Sequence, residues 1–159
     1  TLDYGLSAAG MTISLNKGSA YDKWAQENAA KYGFKVESFG TNADAVQALM
    51  SGRADIHMSG NTVAAYSVTK AAKQIKLASL KVDQGLVWAA AFRKDDAKTR
   101  NAVEAAIECL KVDGTIAKLH EKWFGIKPEP KAAAVTVYAG YAVPGLTGHE
   151  ASSHTPNCK

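Results

Sequence analysis

A chain of 159 residues is long enough for one well-buried domain, or for one small lobe with part of another. Its 47% hydrophobic and 21% charged residues give an ordinary globular balance, and the net charge of +4 comes from Lys and Arg scattered singly among Asp and Glu, which excludes a nucleic-acid stripe. The longest uncharged apolar run, residues 85–92, is too short to span a bilayer, and Thr1 opens directly into polar sequence, as in a processed secreted protein or an excised fragment.

Residues 1–10 read as a lead-in broken by Gly5 and Gly10. Over 11–15, apolar Met11, Ile13 and Leu15 alternate with Thr12 and Ser14, the period of a half-buried strand. Tyr21, Trp24, Ala25, Asn28, Ala29 and Tyr32 then recur at helical spacing. Ser19 is placed to cap this helix, with Asp22 as an acidic variant of the capping box, and Gly33 suits its left-handed end. Gly18 lets a ligand approach the backbone. The N–H groups of Ser19, Ala20 and Tyr21 and the positive end of the helix dipole then face one point, where a carboxylate or similar small anion fits. The plainer alternative is a serine that only caps a helix.

A second strand is expected over 34–39 and a helix from Thr41, its cap, to Gly52, with Ala45, Val46, Leu49 and Met50 apolar. Residues 54–59 alternate Ala54, Ile56 and Met58 with Asp55, His57 and Ser59, a third strand ended by Gly60. Thr62 is expected to cap a third helix through Ala72, followed by an extended segment over 75–80. Strands alternating with helices imply βαβ units, hence a mainly parallel sheet with right-handed crossovers. The run 85–92 has the mark of a strand buried on both faces. Two helices follow, the first capped by Asp95 or Asp96 with Val103, Ala106, Ile107 and Leu110 inward. Gly114 separates it from the second, over 115–123, with Ile116, Leu119, Trp123 and Phe124 inward. Pro128 and Pro130 mark a linker, 134–138 reads as one extended segment, and 140–159 is rich in Gly, Pro, Ser and Thr.

The ordered motifs GSAYDKW, TNADAVQALMSGRADI, NTVAAY, FRKDD and DGTIAKLHEKWFG resemble the family 3 extracellular solute-binding proteins, periplasmic receptors that hand amino acids and related solutes to ABC importers. The resemblance covers roughly residues 6–128. It implies an α/β fold of periplasmic binding protein type II, whose lobes close on a ligand, and a chain holding the second lobe over 1–84. A hinge strand over 85–92, first-lobe C-terminal helices over 93–127, and a linker and tail over 128–159 complete this division. The segment building most of the first lobe would precede Thr1. The implied ligand carboxylate sits at Gly18, Ser19 and Ala20, beside Asn16, with Gly60, Asn61 and Thr62 lining the other side. Amino-acid receptors of the family usually place an Asp where this chain has Gly60, which favours a solute lacking the usual α-ammonium, or one whose cation is met by the first lobe.

The implied partners are a small-molecule solute and the membrane permease of an ABC importer, in the periplasm, with no cofactor, metal or nucleic acid and no catalysis. Two other readings remain. Dehydratase-like enzymes share this fold, and an acid or base would be sought among Glu37, Asp55 and His57. A truncated, ligand-free interaction domain is the other. The spacing of His149, His154 and Cys158 matches no zinc module. Cys109 and Cys158 are expected to pair, because a Gly/Pro-rich tail cannot easily offset its own ordering entropy; two free thiols are the alternative. The apolar face of the last two helices is expected to fold back on the second lobe, to meet residues 134–138, or to drive an arm-exchanged homodimer.

Overall fold

The computed structural model describes residues 8–78, 87–152 and 154–158, and the chain divides into two compact units, Thr1–Val82 and Asp83–Lys159. The lead-in over 1–7, Ser79 and Leu80 of the expected segment over 75–80, and Gly85 and Leu86 of the expected hinge strand lie outside the described residues.

The first unit is an α/β lobe. Its elements are β1 (Thr12–Asn16), α1 (Ala20–Tyr32), β2 (Lys35–Phe39), α2 (Asn42–Met50), β3 (Ile56–His57) and α3 (Asn61–Ala71). All strand pairings are parallel and the order is β2-β1-β3, as alternating strands and helices predict. β1 is therefore central and buried on both faces rather than half-buried, with Ile13 2%, Ser14 0% and Leu15 0% exposed. Ser14 tolerates this because its hydroxyl donates to the Ala45 carbonyl at 2.8 Å, satisfying the buried polar group. On the other face Ile13, Leu15, Ala25 and Phe34 form a core joined by Tyr21, Trp24, Val36, Ile56 and Met58. Trp24, Tyr32 and Phe34 stack with centroids 6.3–6.4 Å apart, which fixes how α1 lies on the sheet. α2 packs on the strands through buried Ala45 and Ala48, and Ala65 is the buried residue of α3.

Three expectations need correction here. The third strand is shorter than 54–59: the Ala54 N–H bonds the Ala48 carbonyl at the end of α2, so ladder pairing starts only with Asp55 N–H on the Thr12 carbonyl and ends with Met58 N–H on Ser14. Gly60, not Thr62, caps α3. The chain turns helical at Asn61, which leaves Thr62 inside the first turn with its N–H on Asn61 Oδ1 at 2.8 Å. Residues 75–78 form no strand, because the N–H groups of Gln74 and Ile75 both return to the Ala71 carbonyl and prolong the helix end as a turn.

The second unit contains α4 (Ala97–Val112) and α5 (Thr115–Phe124), followed by irregular chain. Asp96 caps α4 by accepting the Thr99 N–H, Gly114 turns the chain left-handed between the helices, and Gly125 does so after α5. The expected strand over 85–92 is not formed in its described part. Residues 87–92 have no ladder partner among the described residues, and Trp88 is 76% exposed. The faces of α4 are also the reverse of the apolar pattern. Glu108 is its buried residue, whereas Val103, Ile107 and Leu110 are 37–39% exposed, and Leu119 and Trp123 of α5 are 43% and 49% exposed.

The reason is what covers α4. Residues 130–158 lie along its polar stripe. Glu104 accepts the Ala142 N–H, Lys111 donates to the Thr136 carbonyl, Arg100 pairs with Glu150, and Glu108 meets His154. Residues 134–138 do not extend; Val135 and Thr136 N–H groups both bond the Ala132 carbonyl in a turn. This segment meets the polar stripe through Thr136 and so is not the cover of the apolar one. Tyr141 and Glu150 form an antiparallel bridge that closes the intervening loop, and the tail is tied to the helix by a Cys109–Cys158 disulfide, as expected.

Candidate functional site

β1 and β3 are adjacent and parallel, and the strand order reverses between them: β1 leads through α1 to β2 on one side, and the chain returns through α2 to β3 on the other. The C-terminal ends of these two strands are thus a topological switch point, where open α/β sheets form a crevice. The N-terminal ends of α1 and α3 both follow at that edge. The structure brings Asn16, Gly18, Ser19 and Ala20 to one side of the edge and Gly60, Asn61 and Thr62 to the other.

The α1 side is built by local hydrogen bonding. Gly18 has φ +76°, a left-handed conformation that favours glycine, and the space a side chain would take is open. Ser19 is extended, and its Oγ accepts the Asp22 N–H at 3.1 Å, while Asp22 Oδ2 accepts the Gly18 N–H at 2.7 Å, a capping box displaced by one residue. The Ser19 N–H is used by the Asn16 carbonyl at 3.2 Å, which removes one of the donors expected to face an anion. Those of Ala20 and Tyr21 take no partner among the described residues. Asp22 is buried. The Ser38 hydroxyl at 2.6 Å and the Gly18 N–H hold its carboxyl below the usual carboxylate range despite burial, with Gln26 a weaker donor at 3.4 Å. The capping role of Asp22 is legible from its spacing to Ser19, but Ser38 lies sixteen residues away and no local pattern announces it.

On the α3 side, Gly60 is buried and supplies no side-chain cap, and Asn61 is exposed with its carbonyl oxygen turned back to the Thr62 N–H. No carboxylate stands at this helix start. Of the side chains the sequence offers as acid or base, His57 stands opposite Ser14 in the β1–β3 register. Its Nδ1 lies 3.0 Å from the Ser14 carbonyl, so Nδ1 carries the proton, and burial pushes the imidazole below its ordinary value. Its Nε2 is buried without a partner among the described residues. Asp55 accepts the Thr12 N–H and Glu37 pairs with Arg53, so the candidate acids and bases are each tied to structure and do not converge. His149 bonds the Tyr141 carbonyl, His154 meets Glu108, and Cys158 is in the disulfide; they form no metal-ligand cluster.

The chain spans under half the length of the curated relatives it matches. It is 30% identical over 117 residues to the probable amino-acid-binding protein YxeM of Bacillus subtilis, covering 72% of this chain and 44% of that protein. It is 32% identical over 117 residues to the L-cystine-binding protein TcyA of the same organism, covering 73% and 42%. Among solved structures, one from Streptococcus pneumoniae described as the second substrate binding domain of an amino acid ABC transporter matches with a TM-score of 0.50 at 19% identity, over 74% of this chain and 53% of that one, a likeness of fold. The model of the bacterial extracellular solute-binding proteins, family 3, matches residues 14–126, and the chain belongs to that family.

Proposed function

We propose that this chain is the second lobe and part of the first of a periplasmic or extracellular receptor that delivers a small carboxylated, amino-acid-like solute to the permease of an ABC importer. The observation that carries this is the pairing of two helix starts at the β1/β3 switch point, with the Ala20 and Tyr21 N–H groups uncommitted and the space over Gly18 open. The family membership and the binding named for YxeM and TcyA support it. In this reading the ligand carboxylate meets Gly18, Ser19 and Ala20 beside Asn16, and Gly60, Asn61 and Thr62 form the far wall. The chemistry is binding and release, without catalysis.

Asp22 bears on specificity. Its charge lies in the first turn of α1 and already answers part of the helix dipole, so the incoming carboxylate relies on directed N–H groups and the Ser19 hydroxyl more than on the dipole. Gly60 offers no counter-charge to an ammonium, and an unpaired buried charge is costly. The favoured solute therefore lacks an α-ammonium, or has its cation met outside this chain. The lobe assignment, 1–84 with a hinge over 85–92 and first-lobe helices over 93–127, belongs to the same proposal, as does an arm-exchanged homodimer of this chain that would cover the apolar face of α4 and α5.

Calorimetry on the full-length receptor with a panel of carboxylates, with and without an α-ammonium, tests it. Ser19→Ala is expected to weaken binding of the preferred carboxylate by about tenfold, the worth of a charge-assisted hydrogen bond. Tight binding of an ordinary amino acid that Gly60→Trp abolishes and Ser19→Ala leaves unchanged would overturn the carboxylate placement.

A further inference from the structure

The tail on α4 is held differently from anything in the first unit. Arg100, Glu104, Glu108 and Lys111 form one stripe of α4, and residues 136–154 supply a partner to each: Glu150 and the Gly148 carbonyl to Arg100, the Ala142 N–H to Glu104 at 2.6 Å, His154 Nε2 to Glu108 at 2.6 Å, and the Thr136 carbonyl to Lys111 at 2.9 Å. Tyr141 stacks on His154 with centroids 4.0 Å apart. Apolar burial contributes little. Gly140 is the only buried residue among the described ones of 130–158, and Val137 and Leu146 are exposed.

The Arg100 contacts compete with water at an exposed edge, where ion pairs contribute little, and the single hydrogen bonds of Glu104 and Lys111 are only part-buried. The buried pair is the exception in position but not in net effect. When the tail lifts, Glu108 and His154 lose each other and regain hydration, and the two terms nearly cancel. The ordering entropy of an irregular segment opposes docking throughout. What remains is the covalent bond. Cys109 follows Glu108 on α4, and Cys158 lies 49 residues on, beyond His154 at the far end of the tail, so the bond fixes that end covalently. Cys158 is exposed, so a small thiol can reach it.

We propose that residues 130–158 are a redox-gated strap, seated on the polar stripe of α4 while Cys109–Cys158 is oxidised and released when a dithiol reduces it. The exchange is balanced: the dithiol gives two electrons and two protons, both protein sulfurs become thiols, and the reagent closes to its own disulfide. An oxidising compartment keeps the strap down and a reducing one frees it. Release uncovers the Arg100–Glu104–Glu108–Lys111 stripe without unfolding α4, whose own hydrogen bonds are internal.

Hydrogen exchange on the intact chain, oxidised and after treatment with a dithiol, tests this, with thiol counting to confirm two free thiols. The amide of Ala142, bonded to Glu104 of α4, is expected to exchange about tenfold faster or more once the bond is open, while those of α4, α5 and α1 keep their protection. Cys158→Ser without reductant is expected to match the reduced protein. Unchanged strap protection in fully reduced protein overturns the proposal, because the polar contacts then suffice. Loss of protection throughout α4 and α5 overturns it equally, since the bond would then hold the whole unit rather than the strap. A bond that a dithiol leaves closed in the folded protein also overturns it.

Discussion

The two units apply the same hydrophobic rule and reach opposite results. In Thr1–Val82 the residues spaced to face inward do so: Leu15 is 0% exposed, Ile13 2% and Ala25 0%, because β1 has a strand on each side and a helix on each face. In Asp83–Lys159 the corresponding stripe of α4, Val103, Ile107 and Leu110, is more than a third exposed, while acidic Glu108 is buried. Periodicity therefore locates a helix and its apolar stripe, but only a partner within reach decides whether that stripe becomes a core. Where the nearest segment is polar and Gly/Pro-rich, it docks on the polar stripe instead, and a disulfide holds what apolar burial does not.

The strongest way to break this contrast is truncation on each side of it. Leu15→Ala should destabilise the first unit by about 3 kcal/mol, the transfer loss plus the cavity left in a packed core. Ile107→Ala should cost no more than about 0.5 kcal/mol, as at an exposed site. Hydrogen exchange of α1 and α4 in the two variants reads each unit separately. An Ile107→Ala cost comparable to that of Leu15→Ala would mean that the α4 stripe is covered in solution, and a concentration-dependent cost would identify a second copy as the cover.

This contrast also explains how far the sequence carries. The capped helices are legible because their signals are local: Ser19 with Asp22, Thr41 with Asp44, and Asp96 each bond an N–H within three residues. The parallel sheet follows from alternation, and the β1/β3 edge follows from the sheet. What the sequence hides depends on distance. Ser38 on Asp22, Ala45 on Ser14 and Glu104 on Ala142 are contacts between segments sixteen to thirty-eight residues apart, with no periodic trace. The third strand fails at its start for the same reason, since the Ala54 N–H finds the end of α2 before it finds β1. Thr62 lies two residues past the cap because hydroxyl residues announce caps, whereas Gly60 caps by backbone conformation alone.

A smaller effect separates the units by pH. Burial lowers the His57 imidazole in the folded first unit, whereas the unfolded chain titrates near 6.5. Below that value the unfolded state binds more protons than the folded one, so the stability His57 contributes is fully present above about 6.5 and is lost as pH falls toward the folded value. The first unit should then weaken between pH 7.5 and pH 5.5, values on the order of one unit either side of that midpoint, and His57→Gln should flatten the slope. Denaturant unfolding followed by exchange at α1 measures it. Equal slopes in the two proteins would show that His57 takes its proton without cost, with Nε2 reaching a partner in solution.

The smallest expected effect lies in the strap, at Ala142. Its φ of 63° is the only positive value of a non-glycine residue in the described chain, and the hydrogen bond from its N–H to Glu104 holds it there. A left-handed conformation costs an L-residue about 1 kcal/mol, and glycine removes that penalty while adding freedom to the undocked strap, so the two changes offset each other in part. Ala142→Gly should therefore seat the strap more firmly by about 0.5 kcal/mol. In the oxidised protein the bond conceals so small a gain. In the reduced protein it should appear as roughly twofold slower exchange of the amide at position 142, which bonds Glu104, the ratio that 0.5 kcal/mol sets at room temperature. Faster exchange in Ala142→Gly would mean that the alanine side chain contributes packing on α4 worth more than its backbone strain, and the strap would then owe part of its seating to the apolar burial that distinguishes the first unit.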